Sequence, residues 1–311
     1  MSNQLSYTLF TEKYRPSSVK DMLLPNKIKK FFLNIIEEGE VPNLLLYSSV
    51  PGAGKTSIAK AICNDLNADY LYINISSESG IDTLRGDISR FASGRSLTGQ
   101  KKIVILDEFD GASLQLQKAF RGFSEEYQNV CRFIVTCNYV NKIIPALHSR
   151  LQAFDFNMST KEYKEEMIPK VTSRLCSVLK VENVEYNKDT IQKLVESLYP
   201  DIRKMYGILQ QYSNINGIID DNIFSFGSSD KDFYELVLNK KLTLARTHMI
   251  DSGYNYEDMY VDMFHNFLPL VKKELHPQVI LAIAEWQYRS SFSTDKEIPF
   301  VAMLVEIMGV L

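Results

Sequence analysis

The segment Ser49-Val50-Pro51-Gly52-Ala53-Gly54-Lys55-Thr56 stands directly between an apolar run, Leu44-Leu45-Leu46-Tyr47, and a helical pattern, Ser57-Ile58-Ala59-Lys60-Ala61-Ile62. A glycine-rich turn in that setting can curl its backbone N–H groups around phosphate oxygens, because Gly52 and Gly54 place no side chain in the way. The helix that begins there adds the positive end of its dipole to the anion site. Lys55 is then placed to reach the β- and γ-phosphates of a nucleotide and the Thr56 hydroxyl to ligate Mg²⁺, with Ala53 and Ser57 completing the loop. The usual first glycine of such a P-loop is here Ser49, a small residue that can make the turn if its backbone angles are allowed.

A second motif agrees with the first. Ile103-Val104-Ile105-Leu106 is an apolar strand pattern that ends in two carboxylates, Asp107 and Glu108. Two acids at the end of a buried strand are costly unless a cation or strong donors meet them. Asp107 suits the Mg²⁺ shell, and Glu108 suits the base that polarises an attacking water. Together the motifs imply nucleotide hydrolysis.

Four strand patterns occur in the first half of the chain: 44–47, 70–74, 103–106 and 132–136. Each is separated from the next by enough chain for a crossover helix, the pattern of a parallel α/β sheet with helices on both faces. From about residue 158 the strand signal gives way to helices. Ser159-Thr160-Lys161-Glu162 reads as a capped helix start, and Asn216-Gly217 and Gly227-Ser228-Ser229 as turns. Between Tyr256 and Leu275 the apolar residues Met259, Met263, Phe267 and Leu270 recur at helical spacing, predicting one buried face. Pro277 suits the first turn of a following helix that carries Ile280, Ile283 and Trp286. The expected divisions are 1–155, 156–229 and 230–311.

The net charge of −3 over 311 residues excludes a chain that is basic throughout. Its distribution is uneven: Arg85 to Arg150 holds 10 Lys/Arg against 6 Asp/Glu, and Asp201 onward holds 10 against 15. A polyanion would favour the first region and avoid the second, although ordinary scatter of surface charge gives the same count. Four cysteines without a CxxC pair and four scattered histidines argue against zinc and for reduced thiols. No leader pattern and no long apolar run are visible, so a cytoplasmic protein without a membrane span is expected.

Further residues resemble the AAA+ family, and within it the clamp-loader branch. Glu12-Lys13-Tyr14-Arg15-Pro16 resembles a segment that folds over the adenine. Asn138, after Phe133-Ile134-Val135-Thr136-Cys137, matches the sensor 1 position. Ser149-Arg150 resembles the Ser-Arg-Cys motif whose arginine enters a neighbouring subunit's ATP site, with Leu151 standing where the cysteine usually does. Asp201-Ile202-Arg203-Lys204 resembles the sensor 2 helix, Arg203 reaching ATP in its own subunit. Asn74 occupies the position from which a polar side chain restrains the catalytic Glu until DNA binds. The wording of 81–86, 91–93 and 107–110 is similar to that of large clamp-loader subunits of T4-like bacteriophages.

The resemblance implies an AAA+ ATPase module followed by a helical lid and an all-helical collar. It also implies a five-membered spiral of four such chains and one smaller subunit. This assembly would open a sliding clamp and place it on primer–template DNA, with ATP hydrolysis triggering release. Arg85 and Arg121 would contact DNA phosphates without reading sequence. Gln117 resembles a residue that couples neighbouring subunits and DNA to the active site. Phe91 and Leu97 are the expected apolar anchors for the clamp, core packing being the rival explanation for Phe91. Two other functions compete: an AAA+ ATPase that remodels protein or loads a helicase, and a silent nucleotide-binding scaffold. Intact Lys55, Asp107, Glu108, Asn138 and Arg150 argue against the scaffold.

Overall fold

In the computed structural model, residues 9–76, 80–94, 102–224, 230–252 and 255–311 are described. Leu97 and the turn expected at Gly227-Ser228-Ser229 lie outside them. The chain forms two compact units, Met1–Asp221 and Asn222–Leu311.

The first unit opens with a single helical turn, α1 (Phe10–Lys13), and the helix α2 (Asn26–Glu38). Strands and helices then alternate: β1 (Leu44–Tyr47), α3 (Lys55–Asp65), β2 (Asp69–Asn74), α4 (Ile81–Ser93), β3 (Lys102–Asp107), α5 (Leu114–Glu126), β4 (Cys131–Cys137), the short turn α6 (Pro145–His148) and β5 (Gln152–Asp155). All pairings in this sheet are parallel, and the strand order is β2-β3-β4-β1-β5. Residues of β3 are buried along its whole length, as a strand covered by helices on both faces requires. The four strands expected from the sequence are present, each within a residue of its pattern. The fifth, β5, was not expected: Gln-Ala-Phe-Asp carries no β-branched residue and is mostly exposed at the sheet edge, so neither composition nor alternation marks it.

The core of this sheet joins Val104, Leu106, Phe133 and Val135 to Ile88 of α4 and Phe120 of α5. Phe109, Phe120 and Phe133 form a chain of edge-on ring contacts with centroids 5.1 and 5.3 Å apart. Lys102 is buried, and its amine is satisfied by carbonyls at the end of α4, donating to Phe91 O at 2.6 Å and Ala92 O at 3.3 Å. Cations favour the carbonyl end of a helix, and this lysine occupies that end of α4.

Beyond the sheet, α7 (Lys161–Val181) starts where the sequence indicates, with the Thr160 hydroxyl accepting from Tyr163 N–H. A two-residue strand, β6 (Glu185–Tyr186), is followed by α8 (Lys188–Leu198) and α9 (Ile202–Asn216). Gly217, at φ +73°, closes α9, and β7 (Ile218–Ile219) pairs with β6.

The second unit contains α10 (Asp230–Leu238), α11 (Leu242–Ser252), α12 (Tyr256–Asp262), α13 (His276–Ser290) and α14 (Glu297–Val310). Its core gathers Phe233, Met259, Met263, Phe267, Ile283 and Phe300. The continuous helical face expected between Tyr256 and Leu275 is only partly realised. After Asp262 the backbone widens into a π turn and then tightens to a 3₁₀ turn at Leu268–Leu270, beside Pro269. That change of pitch keeps Met259, Met263 and Phe267 buried but turns Leu270 outward, 55% exposed. Pro277 sits in the first turn of α13 as expected. Among the described residues no helix is long and apolar enough to cross a membrane.

Candidate active site

Because β1 and β3 flank β4, the loops leaving their carboxyl ends meet over one part of the sheet, where parallel α/β folds bind ligands. The loop after β1 reaches α3 through Gly52 (φ +73°) and Gly54 (φ +93°), both left-handed. A Cβ on Gly52 would stand 2.1 Å from Asp201 Oδ1, so glycine is required there on two counts. Ser49 is not among the residues with positive φ, which explains why the missing first glycine is tolerated. Its backbone N–H and its hydroxyl both donate to Asn157 Oδ1, at 2.9 and 2.8 Å, bracing the loop from outside the pocket.

Lys55 is buried. Its amine donates to Asn138 Oδ1 at 2.9 Å and to the carbonyls of Ser48 and Val50 at 3.3 and 3.5 Å. Burial pushes its pKa down from the usual lysine range. All three acceptors are neutral, and an anionic phosphate beside the amine would favour the charged form. Asn138, matched from the sequence to the sensor 1 position, thus lies against the amine of the loop lysine.

Asp107 is buried at the end of β3 and accepts from hydroxyls on three elements. Thr56 of α3 donates to it at 2.8 and 3.1 Å, Thr136 of β4 donates to Oδ1, and Tyr72 of β2 donates to Oδ2 at 2.7 Å. Burial, and then the bond to this carboxylate, pushes the Tyr72 hydroxyl up to about 12. A buried carboxylate beside a threonine hydroxyl is a hard-oxygen donor set that fits a magnesium ion. Glu108 follows in the left-handed region, φ +57°, a sparsely populated conformation for a residue with a side chain. Its N–H donates to Thr136 Oγ1 at 3.1 Å, and its carboxylate is exposed over the pocket. Asn74 closes β2 opposite Asp107, and its Oδ1 accepts from Ser76 N–H at 2.9 Å.

The far end of the pocket is apolar, with Pro16, Met22, Leu23, Ile202 and Tyr206 in its wall. Tyr14 stacks on Tyr206 with rings 6.3 Å apart and 14° from parallel. Two anchors hold the segment here: Phe10 N–H donates to Gln210 Oε1 at 2.9 Å, and Lys13 and Tyr14 both bond Glu182. Of the expected Glu12-to-Pro16 cover, Tyr14, Arg15 and Pro16 line the pocket, and Glu12 instead pairs with Arg15 at 2.8 Å. Arg203 lines it from α9, with Pro51 through Ser57 of the loop, whereas Ser49, expected there, does not. Arg174 of α7 also lines it, though nothing in the sequence around it forms a motif.

The remaining expected residues lie elsewhere on this unit. Arg150 follows α6 outside the pocket wall and binds Glu125 of α5. Arg85 on α4 and Arg121 on α5 are both exposed, and the Arg85 guanidinium lies 5.7 Å from the Phe123 ring. Gln117 is buried: its amide donates to Ala112 O at 3.2 Å and Lys142 O at 3.0 Å, and its Oε1 accepts from Ile144 N–H at 2.9 Å. Phe91 is half-buried, packs against the sheet core and has the Lys102 amine 5.3 Å from its ring.

Comparison with known proteins agrees with this geometry. The family described as ATPase family associated with various cellular activities (AAA) matches residues 44–159. Sliding-clamp-loader large subunits of Escherichia phage RB69 and Enterobacteria phage T4 are each 36% identical over 244 residues, 76% of this chain and 76% of theirs. A replication factor C small subunit of Methanococcus maripaludis is 31% identical over 97% of this chain and 98% of its own. Among solved structures, a Thermotoga maritima RuvB variant superposes with a TM-score of 0.53 at 15% identity, over 78% of this chain and 86% of that one. Fold and site together define an AAA ATPase, an enzyme that binds and hydrolyses ATP. The chain belongs to the family of sliding-clamp-loader subunits that includes replication factor C small subunits.

Proposed function

We propose that this chain is the large, ATP-hydrolysing subunit of a loader that opens a ring-shaped sliding clamp and sets it on primer–template DNA. Four copies would join one smaller subunit in a five-membered spiral, working in the cytoplasm of a phage-infected bacterium. Residues 1–155 form the ATPase domain, 156–229 its lid, and 230–311 the collar through which subunits associate. The exposed apolar side chains of the last helices, Leu281, Tyr288, Ile298 and Val305, support the collar reading.

Thr56 and Asp107 would hold a magnesium ion, which would supply positive charge against the triphosphate. Lys55 exchanges its neutral acceptors for phosphate oxygens. Glu108 polarises the attacking water, Asn138 orients it, and Arg203 binds the same nucleotide from the lid. Asn74, beside Asp107 in the sheet, restrains Glu108 until DNA enters. Arg85 and Arg121 meet backbone phosphates without reading bases. Gln117, tied to the segments on either side of it, carries that event to the site. Phe91, and Leu97 outside the described residues, are the apolar anchors assigned to the clamp.

The observation that carries this reading is the position of Arg150. It is bound to Glu125 away from the pocket that Lys55 and Arg203 line, which supports its serving an ATP bound by a neighbour rather than its own. The test is ATP turnover of the assembled complex with clamp and primed DNA. Mixing Arg150→Ala subunits with Lys55→Ala subunits should restore activity only at interfaces that combine an intact finger with an intact lysine. A complex in which Arg150→Ala turns over normally with clamp and DNA contradicts the reading.

A further inference from the structure

Of the three hydroxyls that hold Asp107, one belongs to the P-loop residue Thr56, and the other two come from the strands on either side of β3, Thr136 on β4 and Tyr72 on β2. Tyr72 lies on β2, an edge strand of the sheet, paired with Ile105 of β3, while Asn74 pairs with Asp107. Its side chain therefore reaches two residue pairs along the sheet to place its O–H 2.7 Å from Asp107 Oδ2. The ring also has the Lys60 amine of α3 4.4 Å from its centre. Since α3 begins with Lys55 and Thr56, one side chain ties the phosphate-binding helix, the edge strand and the acidic residue together. Tyr70, two residues earlier on the same strand, is exposed and lines no part of the pocket.

We propose that Tyr72 is a positioning residue of the cation site, its hydroxyl fixing the rotation of the Asp107 carboxylate beside Thr56. The proposal rests on the magnesium assignment made above. A carboxylate free to rotate must be reoriented when the ion arrives, and one locked by hydroxyls on both oxygens need not be. Hydrogen bonds of this kind to a ligating carboxylate typically change metal affinity on the order of 10–100-fold. Thr136 still holds Oδ1 when Tyr72 is lost, so the lower end of that range, about 10-fold, is expected here.

Tyr72→Phe keeps the ring and removes only the donor. The experiment measures affinity for a fluorescent non-hydrolysable ATP analogue by the full chain across magnesium concentrations, with Tyr70→Phe as the control. In Tyr72→Phe the magnesium concentration giving half of the tightening should rise about 10-fold, and affinity in EDTA should match wild type. Tyr70→Phe should match wild type throughout. A magnesium dependence in Tyr72→Phe that superposes on wild type overturns the proposal, as does an equal loss of affinity in EDTA, which would mark a structural role. If wild type itself shows no magnesium-dependent tightening, the cation assignment fails and takes this proposal with it.

Discussion

Arg150 is bound to Glu125 within its own subunit: its Nε donates to Glu125 Oε1 at 2.8 Å, and a second guanidinium nitrogen donates to the same oxygen. A third contact runs to Ala146 O at 2.8 Å, and Arg121 approaches Glu125 Oε1 at 3.8 Å from one helical turn away. One carboxylate thus stands between the arginine assigned to a neighbour's ATP and an arginine assigned to DNA. The Arg150 guanidinium holds the Glu125 carboxyl below the usual carboxylate range.

Because Glu125 is exposed and surface pairs contribute little to stability, Arg150→Ala should leave the unfolding midpoint nearly unchanged. Turnover stimulated by clamp and DNA should fall on the order of 10³-fold or more. The sign of the pH effect follows from the depressed carboxyl: the pair is intact above the ordinary carboxylate range and is lost as pH falls through the lowered value. Arg150→Ala should therefore raise the Glu125 pKa toward its ordinary range, read by carboxyl NMR titration. A Glu125 titration unchanged by the substitution would mean that the pair does not persist in solution.

Lys55 and Glu108 should separate binding from chemistry. Lys55 lies buried among neutral acceptors, and Lys55→Ala removes the cation meant for the phosphates, so nucleotide affinity should collapse. Glu108 makes its resolved contact through backbone N–H to Thr136, not through the carboxylate. Glu108→Gln should keep affinity near wild type and lose turnover by about 10²–10⁴-fold, the usual contribution of a general base. Equilibrium binding and single-turnover hydrolysis measure the two quantities independently.

Gln117 joins the start of α5 to the segment between Asn138 and α6, through Ala112, Lys142 and Ile144. Gln117→Leu leaves the Ile144 N–H without its acceptor, and a buried group so stranded costs about 1–3 kcal/mol. Gln117→Glu keeps an acceptor for Ile144 but sets a carboxylate against two carbonyls, so it should not rescue stability. Chemical denaturation reads this effect. If Gln117 also couples DNA to hydrolysis, both variants should lose DNA stimulation in larger proportion than basal turnover.

Much of this site was legible in the sequence because its chemistry demands rare combinations at fixed spacing. Glycines at 52 and 54 before Lys55, and two acids at the end of an apolar strand, fixed both the loop and its partner strand. Apolar runs spaced for crossover helices marked four strands of the sheet. What escaped were residues whose roles depend on tertiary approach alone. Tyr72 and Thr136 sit inside ordinary strand patterns, and only the register of β2 and β4 against β3 brings their hydroxyls to Asp107. Arg174 is one cation among several on a 21-residue helix, brought to the pocket by the packing of α7. The edge strand β5 has no apolar pattern because little of it is buried, and the outward turn of Leu270 depends on a backbone irregularity that spacing cannot express.

Gly52 offers the strictest test of the loop. Its φ of +73° alone would cost a residue with a side chain roughly 1–2 kcal/mol. The larger conflict is steric, since an added Cβ would stand 2.1 Å from Asp201 Oδ1 and 3.0 Å from Arg203 Cβ. Asp201 cannot move aside freely, because Oδ1 caps α9 by accepting from Lys204 N–H at 3.0 Å, and losing such a cap costs about 1 kcal/mol. Gly52→Ala should therefore displace the start of α9, and Arg203 with it, weakening nucleotide binding at least ~10-fold, the equivalent of ~1.4 kcal/mol. Removing the obstructing carboxylate in Gly52→Ala/Asp201→Gly should recover part of that affinity, although Asp201→Gly alone weakens the cap. Isothermal titration with an ATP analogue distinguishes the cases. Equal affinities for the single Gly52→Ala variant and the double variant would show that backbone strain, not the approach of α9, governs this position.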